Sequence, residues 1–443
     1  MPPDVFAVGS VTAIIIRFLT MFGDLGLGGA LIQSERSPDA ADKTGLLLIQ
    51  LLVASALCVC GFAVSPSISA IYHLPLRDRW LVGVVALGLL PSAVQSVGIV
   101  SLERVLSYPR VARIEGVRSL VASSSLAVLA VVGVGGMSFA WSALAGSLCG
   151  ALTAVQAAPW RFQVKGAFSR LRELLYFGVP YQLVSMVSLV KDSFAPVVLG
   201  LVVGMGGLGQ YQLASSLAVY PVILANVISR MFFPMFSRMR EDGERFVEGA
   251  NNLHFLLMTS VASASSVMGA LSEPIIRTLF GASWLMAVNL FYWLEAGLLF
   301  VPGTIISMAI LNAVNRSRAN LAFSAMWATV EWLVGLPLVH LFGIDGYGMA
   351  VFIDQFTNLV VYWYSRRVVP VAWWRNSWQP LVSGFMNFVI LALLQHFLLA
   401  STVALLLFYG LLGFLVFFLL LFMIAKARIL SGYRLLKGSV TGA

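Results

Sequence analysis

The residues best able to do chemistry in this sequence are charged side chains that stand inside long apolar stretches. They are Arg17, Arg118 and Lys191 among the basic residues and Asp192, Glu295, Glu331 and Asp354 among the acidic ones. An ionised side chain is costly in hydrocarbon, so such residues usually face a cavity, a transport pathway or a charged partner. We expect the basic residues to serve a polar cavity and the acidic ones to carry protons or a cation in coupled transport.

Each of these residues also has a simpler interpretation. Arg118 lies three residues after Glu115, so the two could form an ion pair on one helix face, and its long side chain could reach the membrane interface. Lys191 could neutralise a structural carboxylate instead of facing a cavity. The buried acids could simply hydrogen-bond within a helix bundle. The sequence leaves these alternatives open.

The composition shows what kind of element must carry these residues. The chain has 443 residues, of which 59% are hydrophobic and only 11% are charged, and its mean hydropathy is +0.91. Soluble proteins carry about 25% charged residues, so this chain must lie in a bilayer. Long apolar runs, each near the roughly 20 residues needed to cross a bilayer, predict an all-α polytopic protein. They lie near 5–26, 44–64, 80–100, 113–133, 137–157, 174–202, 207–233, 252–272, 285–311, 320–341, 347–365, 378–398 and 402–425.

The distribution of basic residues predicts the orientation of these spans. The loops between successive spans alternate between the two sides of the membrane. Most of the 28 Lys and Arg residues then fall on one side, and only Arg77, Arg79 and Arg277 fall on the other. Basic loops mark the cytoplasmic side, so the C-terminus is expected inside. The net charge of +9 suits loops resting on anionic lipid. We expect membrane lipids as partners and no nucleic acid, because no compact basic domain exists.

The motifs of several enzyme and ATP-driven classes are absent from the sequence. No phosphate-binding loop of the G-x-x-x-x-G-K-[ST] type and no H-E-x-x-H helix occurs, and the four His residues are far apart. We therefore expect no enzyme, no cofactor and no metal site.

The apolar runs recur at an offset of about 205 residues. The runs at 44–64 and 80–100, for example, correspond to those at 252–272 and 285–311. Because the offset spans six helices, both copies point the same way, as in several transporter folds with a cleft between two lobes. The predicted division is an N-lobe at 1–160, a C-lobe at 161–375 and two additional helices with a basic tail at 376–443. The partner of the run at 174–202 would precede Met1, so we expect that the first of fourteen helices is missing.

Four segments resemble the exopolysaccharide and O-antigen repeat-unit flippases of the multidrug/oligosaccharidyl-lipid/polysaccharide superfamily. They are FGDLGLGGALIQ at 22–33, the stretch from LGQYQLASS to GERF at 208–246, EPIIRTLFGASW at 273–284 and FGIDGYGMA at 342–350. The resemblance runs through nearly the whole chain in order. It is greatest to the colanic-acid exporter branch.

The resemblance implies two six-helix lobes, two added helices and alternating access between the lobes. The implied cargo is an undecaprenyl-diphosphate-linked oligosaccharide that moves across the bacterial inner membrane to the periplasmic leaflet. A polysaccharide polymerase and glycosyltransferases are the implied partners. Arg17 and Lys191 could then face one diphosphate, since unpaired charge cannot cross hydrocarbon alone. A drug/cation antiporter of the same fold and a non-transporting component of polysaccharide assembly are the alternatives.

Overall fold

A computed structural model describes residues 3–24, 39–105, 107–167, 186–187, 189–239, 243–313, 316–397 and 402–441. Its secondary structure over these residues is helical, without strands. Nine helices in these ranges are long and apolar enough to cross a membrane, and a tenth candidate consists of two helices bent by 41°. The chain is therefore an all-α polytopic membrane protein, as its composition predicts.

Most of the helices follow one another with few residues between them. In order they are α1 (Pro3–Asp24), α2 (Ala40–Ile71), α3 (Leu81–Leu87), α4 (Leu89–Arg104), α5 (Tyr108–Val132), α6 (Met137–Ala157), α7 (Met205–Met239), α8 (Gly243–Leu279), α9 (Met286–Leu298), α10 (Val301–Ala313), α11 (Ser317–Phe356), α12 (Asn358–Arg366), α13 (Trp373–Phe397) and α14 (Val403–Thr441). Short 3-10 turns, Leu76–Asp78 and Ala282–Trp284, precede α3 and α9, and a π-helical segment, Ala195–Val203, precedes α7. Each predicted run overlaps described helices, although residues 174–185 and 188 of the run at 174–202 lie outside the described residues.

The element α11 contains two antiparallel helices. Its backbone leaves the helical conformation at Gly343, where φ is +59°, a value that glycine adopts without strain. The hydroxyl of Tyr347 donates a 2.9 Å hydrogen bond to the carboxylate of Glu331. In a straight helix these residues would stand about 24 Å apart, so the chain must reverse between them. The two predicted runs at 320–341 and 347–365 are therefore separate crossings.

The contacts divide the chain into two compact units, Met1–Gly209 and Gln210–Ala443. In the first unit α3 and α4 pack on α2, and α6 packs on α4 and α5. In the second unit α8 is the most buried candidate span, and α9, α13 and α14 pack around it. The sequence-based boundaries at 160 and 375 rest on a different criterion, the six-helix repeat, and stay a prediction.

The repeat is visible in the order of elements. After α1 and α2 come a 3-10 turn, a two-part helix (α3 and α4) and the antiparallel pair α5 and α6. After α7 and α8 come a 3-10 turn, a two-part helix (α9 and α10) and the antiparallel halves of α11. The same series of elements thus occurs twice before α13 and α14 begin.

Candidate functional site

An ion pair between Arg17 and Asp192 marks the candidate site of the first unit. Arg17 lies on α1, and Asp192 lies in the helical residues just before the π-helical segment, which contacts α1. Arg17 is fourteen residues beyond Pro3, about 21 Å along the helix axis, and so is well inside the span. The two side chains remain 57% and 39% exposed. Charged groups exposed at this depth belong in a polar cavity rather than in lipid.

A small cavity with several polar groups in its lining opens one turn beyond Arg17 on the same helix. Its volume is about 170 Å³, and its polar lining consists of Thr20, Gln50, Ser92 and Ser96 from α1, α2 and α4. The amide of Gln50, which is only 3% exposed, donates to the hydroxyl of Ser96 at 3.3 Å. Hydroxyl and amide groups of this kind suit an uncharged hydroxylated ligand such as a sugar.

The other two basic residues predicted from the sequence occupy different surroundings. Lys191 is half-buried and immediately precedes Asp192, so it lies next to the ion pair and within the first unit. Arg118 packs on α6, where its backbone carbonyl and its Cβ border Gly146 and Gly150. The cavity around Gln50 is lined by α1, α2 and α4, so Arg118 is not among its lining residues. No ion pair joins Arg118 to Glu115, although the structure describes both. A role for Arg118 in binding stays a prediction.

Glu295 is a buried carboxylate in the second unit. It lies on α9 with 6% exposure, and Ser265 of α8 is the polar side chain beside it. Within the described residues, neither carboxylate oxygen of Glu295 forms a close hydrogen bond, and the hydroxyl of Ser265 approaches the carboxylate without forming one. A buried charge without a partner is strongly unfavourable, so such a carboxylate requires a proton or a cation.

Glu331 and Asp354 are buried in other settings. Glu331 accepts the hydrogen bond from Tyr347, whose ring meets the ring of Tyr211 edge-on at 5.1 Å between centroids. Asp354 is 2% exposed near the end of α11, and its backbone carbonyl accepts a hydrogen bond from the hydroxyl of Thr357. The two acids thus sit within packed helix pairs. Their predicted part in ion coupling is neither supported nor contradicted by these contacts.

The neutral part of the site is not among the residues predicted from the sequence. Gln50 is the only amide side chain in the run at 44–64. This signal is overlooked when only charged residues are considered. Ser92 and Ser96 carry no comparable signal, because serine is common in membrane helices and its role depends on the neighbouring helix.

A family model described as "Polysaccharide biosynthesis protein" matches residues 1–289, which is more than half of the chain. The chain belongs to this family. Its resemblance to polysaccharide flippases is therefore confirmed at the level of the family.

Two relatives of the polysaccharide biosynthesis family show how far the similarity extends. The teichuronic acid biosynthesis protein TuaB of Bacillus subtilis (strain 168) is 26% identical over 332 residues, which cover 71% of this chain and 65% of TuaB. The succinoglycan biosynthesis transport protein ExoT of Rhizobium meliloti (strain 1021) is 24% identical over 382 residues, covering 80% of this chain and 74% of ExoT. The chain thus aligns with just under two thirds of TuaB and about three quarters of ExoT.

The fold of this family member matches a solved transporter structure. The structure titled "Lipid II flippase MurJ, inward closed conformation" aligns with a TM-score of 0.75 and covers 96% of both chains at 15% identity. At this identity the match establishes the fold alone.

Proposed function

We propose that this chain moves a lipid-linked oligosaccharide from the cytoplasmic to the periplasmic leaflet of the bacterial inner membrane, for assembly of a surface polysaccharide. The observation that carries the proposal is the ion pair of Arg17 and Asp192, half-exposed inside the span of α1 and next to the Gln50 cavity. Membership of the polysaccharide biosynthesis family, and relatives named for polymer biosynthesis and transport, support the class of cargo.

The proposed step at the site is an exchange of partners on Arg17. Asp192 neutralises the guanidinium in the structure. A lipid diphosphate offers more negative charge and several acceptor oxygens, and guanidinium binds such groups in a bidentate manner. We propose that the diphosphate displaces Asp192 while Lys191 adds a second positive charge. The neutral groups around Gln50 would then meet the first sugars.

The energy for transport is proposed to come from an ion that binds Glu295. Protonation or cation binding would neutralise this buried carboxylate, and its release would leave an uncompensated charge that favours rearrangement of α8 and α9. Alternating access driven by an ion requires that ion binding and the conformational change are linked in this way. A polymerase and glycosyltransferases are proposed as partners that consume and supply the cargo.

Replacement of Arg17 tests the proposed cargo site. In a strain that lacks its own flippase, Arg17→Ala should lower export of surface polymer roughly ten- to a hundredfold, because a charge-assisted interaction is lost. Arg17→Lys should retain part of the activity. Arg113→Ala on α5 is the control, since Arg113 is exposed and lies outside the site.

The same assay defines what would contradict the proposal. Wild-type polymer levels in a strain with Arg17→Ala and Lys191→Ala, at normal protein abundance, would remove this site from the mechanism. Proteoliposomes separate the rival class: a drug/cation antiporter would move a cationic dye and leave a lipid-linked oligosaccharide in place.

A further inference from the structure

A second polar cavity lies in the second unit, away from every residue assigned to transport above. Its volume is about 880 Å³, and it lies where the beginnings of α8 and α13 meet the region around Arg428 of α14. Its lining includes Glu244, Glu248, Arg375 and Arg428. The predicted runs begin at 252 and 378 and end at 425, so all three helices enter or leave the bilayer beside it. The cavity is therefore at the level of lipid headgroups.

The polar wall of this cavity is a fixed hydrogen-bond network. The side-chain oxygen of Asn251 accepts from the backbone N–H of Ala372 at 2.9 Å and from the amide of Asn376 at 2.6 Å. The side-chain oxygen of Asn376 accepts from the guanidinium of Arg428 at 2.7 Å, and Asn376 is only 2% exposed. The guanidinium also stacks over the ring of Phe255, 4.1 Å from its centroid. Arg428 is thereby held in one orientation at the cavity wall.

The cavity offers charges of both signs. Partial burial lowers the pKa of Arg428, and the positive charge of nearby Arg375 lowers it further. An anion bound between the two guanidinium groups would relieve their repulsion. Glu244 and Glu248 stand one turn apart on α8 and are exposed. Neither carboxylate has a hydrogen bond or ion pair with a described residue. A ligand that carries both an anion and a cation would satisfy the two walls together.

An apolar groove adjoins the polar cavity. It has a volume of about 480 Å³, is lined by Trp374, Trp378, Leu381 and Val382, and shares Arg375 with the cavity. The outer face of α13 continues beyond it with exposed apolar side chains, including Phe385 at 70% exposure. Tryptophan is enriched where membrane proteins meet the headgroup region. The shape and polarity are those of a site for an amphiphile, with its head in the cavity and its chains along α13.

We propose that this cavity binds the headgroup of a zwitterionic aminophospholipid of the surrounding bilayer. Arg375 and Arg428 bind the phosphate, Glu244 and Glu248 accept hydrogen bonds from the primary ammonium, and the acyl chains follow the groove at Trp374 and Trp378. The bound lipid bridges α8, α13 and α14. It is not the cargo, and the proposal does not depend on the cargo site at Arg17.

Lipid binding to the purified full-length chain tests this site. Native mass spectrometry with phosphatidylethanolamine, phosphatidylglycerol and phosphatidylcholine should show a preference of roughly tenfold for phosphatidylethanolamine, because it alone brings a positively charged N–H donor to the carboxylates. Glu244→Gln with Glu248→Gln should abolish the preference. Glu273→Gln, at the opposite end of the same helix, is the matched control and should retain it.

Two further measurements test whether binding needs the acyl chains of the lipid and whether the basic residues bind its phosphate. Soluble glycerophosphoethanolamine should bind far more weakly than the lipid, and Arg375→Gln should weaken all phosphate-bearing lipids. Equal binding of the three lipids, an unchanged preference in the double variant at an unchanged melting temperature, or equal binding of the soluble headgroup would overturn the proposal. Preferential binding of undecaprenyl phosphate over phosphatidylethanolamine would overturn it as well.

Discussion

At the scale of the residue, Glu295 and Glu331 form a contrast. Both are nearly fully buried, but Glu331 accepts a hydrogen bond from Tyr347, whereas the carboxylate oxygens of Glu295 form no close hydrogen bond with a described residue. A glutamine in place of Glu331 keeps an acceptor for Tyr347. A glutamine in place of Glu295 keeps the shape of the side chain but removes its ability to exchange a proton or bind a cation.

We expect Glu295→Gln to uncouple transport from its ion gradient. Flux in proteoliposomes under an imposed proton or sodium gradient should lose its dependence on that gradient in Glu295→Gln and keep it in Glu331→Gln. The experiment is a comparison of initial rates with and without the gradient. Unchanged gradient dependence in Glu295→Gln would refute the coupling role, and its loss in Glu331→Gln alone would assign that role to Glu331.

The sequence indicated which side chains are unusual but not how each is satisfied. Arg17, Glu295 and Glu331 all stand out as charges within apolar runs. The partners Asp192 and Tyr347 are set by tertiary contacts: one is 175 positions away, and the other is brought back by the turn at Gly343. The neutral cavity around Gln50 requires three helices to meet. No local pattern contains that information.

At the scale of the element, Asp78 fixes the beginning of α6. Its carboxylate, only 1% exposed, accepts a 3.0 Å hydrogen bond from the backbone N–H of Met137. That N–H belongs to the first turn of α6 and has no partner within the helix. A Cβ at Gly136 would approach the carboxylate to 2.6 Å, so this glycine is needed for the close contact.

Loss of this contact should destabilise the first unit. We expect Asp78→Ala to lower the free energy of unfolding by about 1–3 kcal/mol, because it leaves a buried donor without an acceptor. Asp78→Asn, whose amide oxygen can still accept, should cost less. Thermal unfolding of the purified variants in detergent measures both, and an unchanged melting temperature in Asp78→Ala would show that the contact contributes nothing.

The helices themselves were predictable because each requires a long apolar run, and hydropathy reports such runs directly. The interruptions were not predictable from hydropathy. The breaks between α3 and α4 at Gly88 and between α9 and α10 near Leu299 fall inside runs whose average hydropathy stays high. A local change of backbone conformation leaves the average hydropathy of the run unchanged, so the sequence showed one span in each place.

At the scale of the whole molecule, contacts within each unit agree with the predicted alternation of connectors. In the first unit the backbone N–H of Gln163 donates to the hydroxyl of Thr44, and both lie at predicted cytoplasmic ends. In the second unit the amide of Gln210 donates to the carbonyl of Ser283, and both lie at predicted periplasmic ends. Residues far apart in sequence but assigned to one face thus meet within their own unit.

Labelling of single cysteines tests the topology directly. After replacement of Cys58, Cys60 and Cys149, a membrane-impermeant maleimide should label Arg79→Cys and Arg277→Cys in spheroplasts. These positions lie near the 3-10 turns of the two repeat copies, and an offset of six helices puts both on the periplasmic face.

Two cysteine variants on the predicted cytoplasmic face serve as the matched controls. Arg110→Cys and Arg366→Cys are exposed ends of α5 and α12, and they should react only after the membrane is opened. An inverted repeat would instead label Arg79→Cys and Arg277→Cys from opposite sides. The proposed direction of transport depends on this result, because a cargo diphosphate made in the cytoplasm must reach Arg17 from the face on which Arg110 and Arg366 lie.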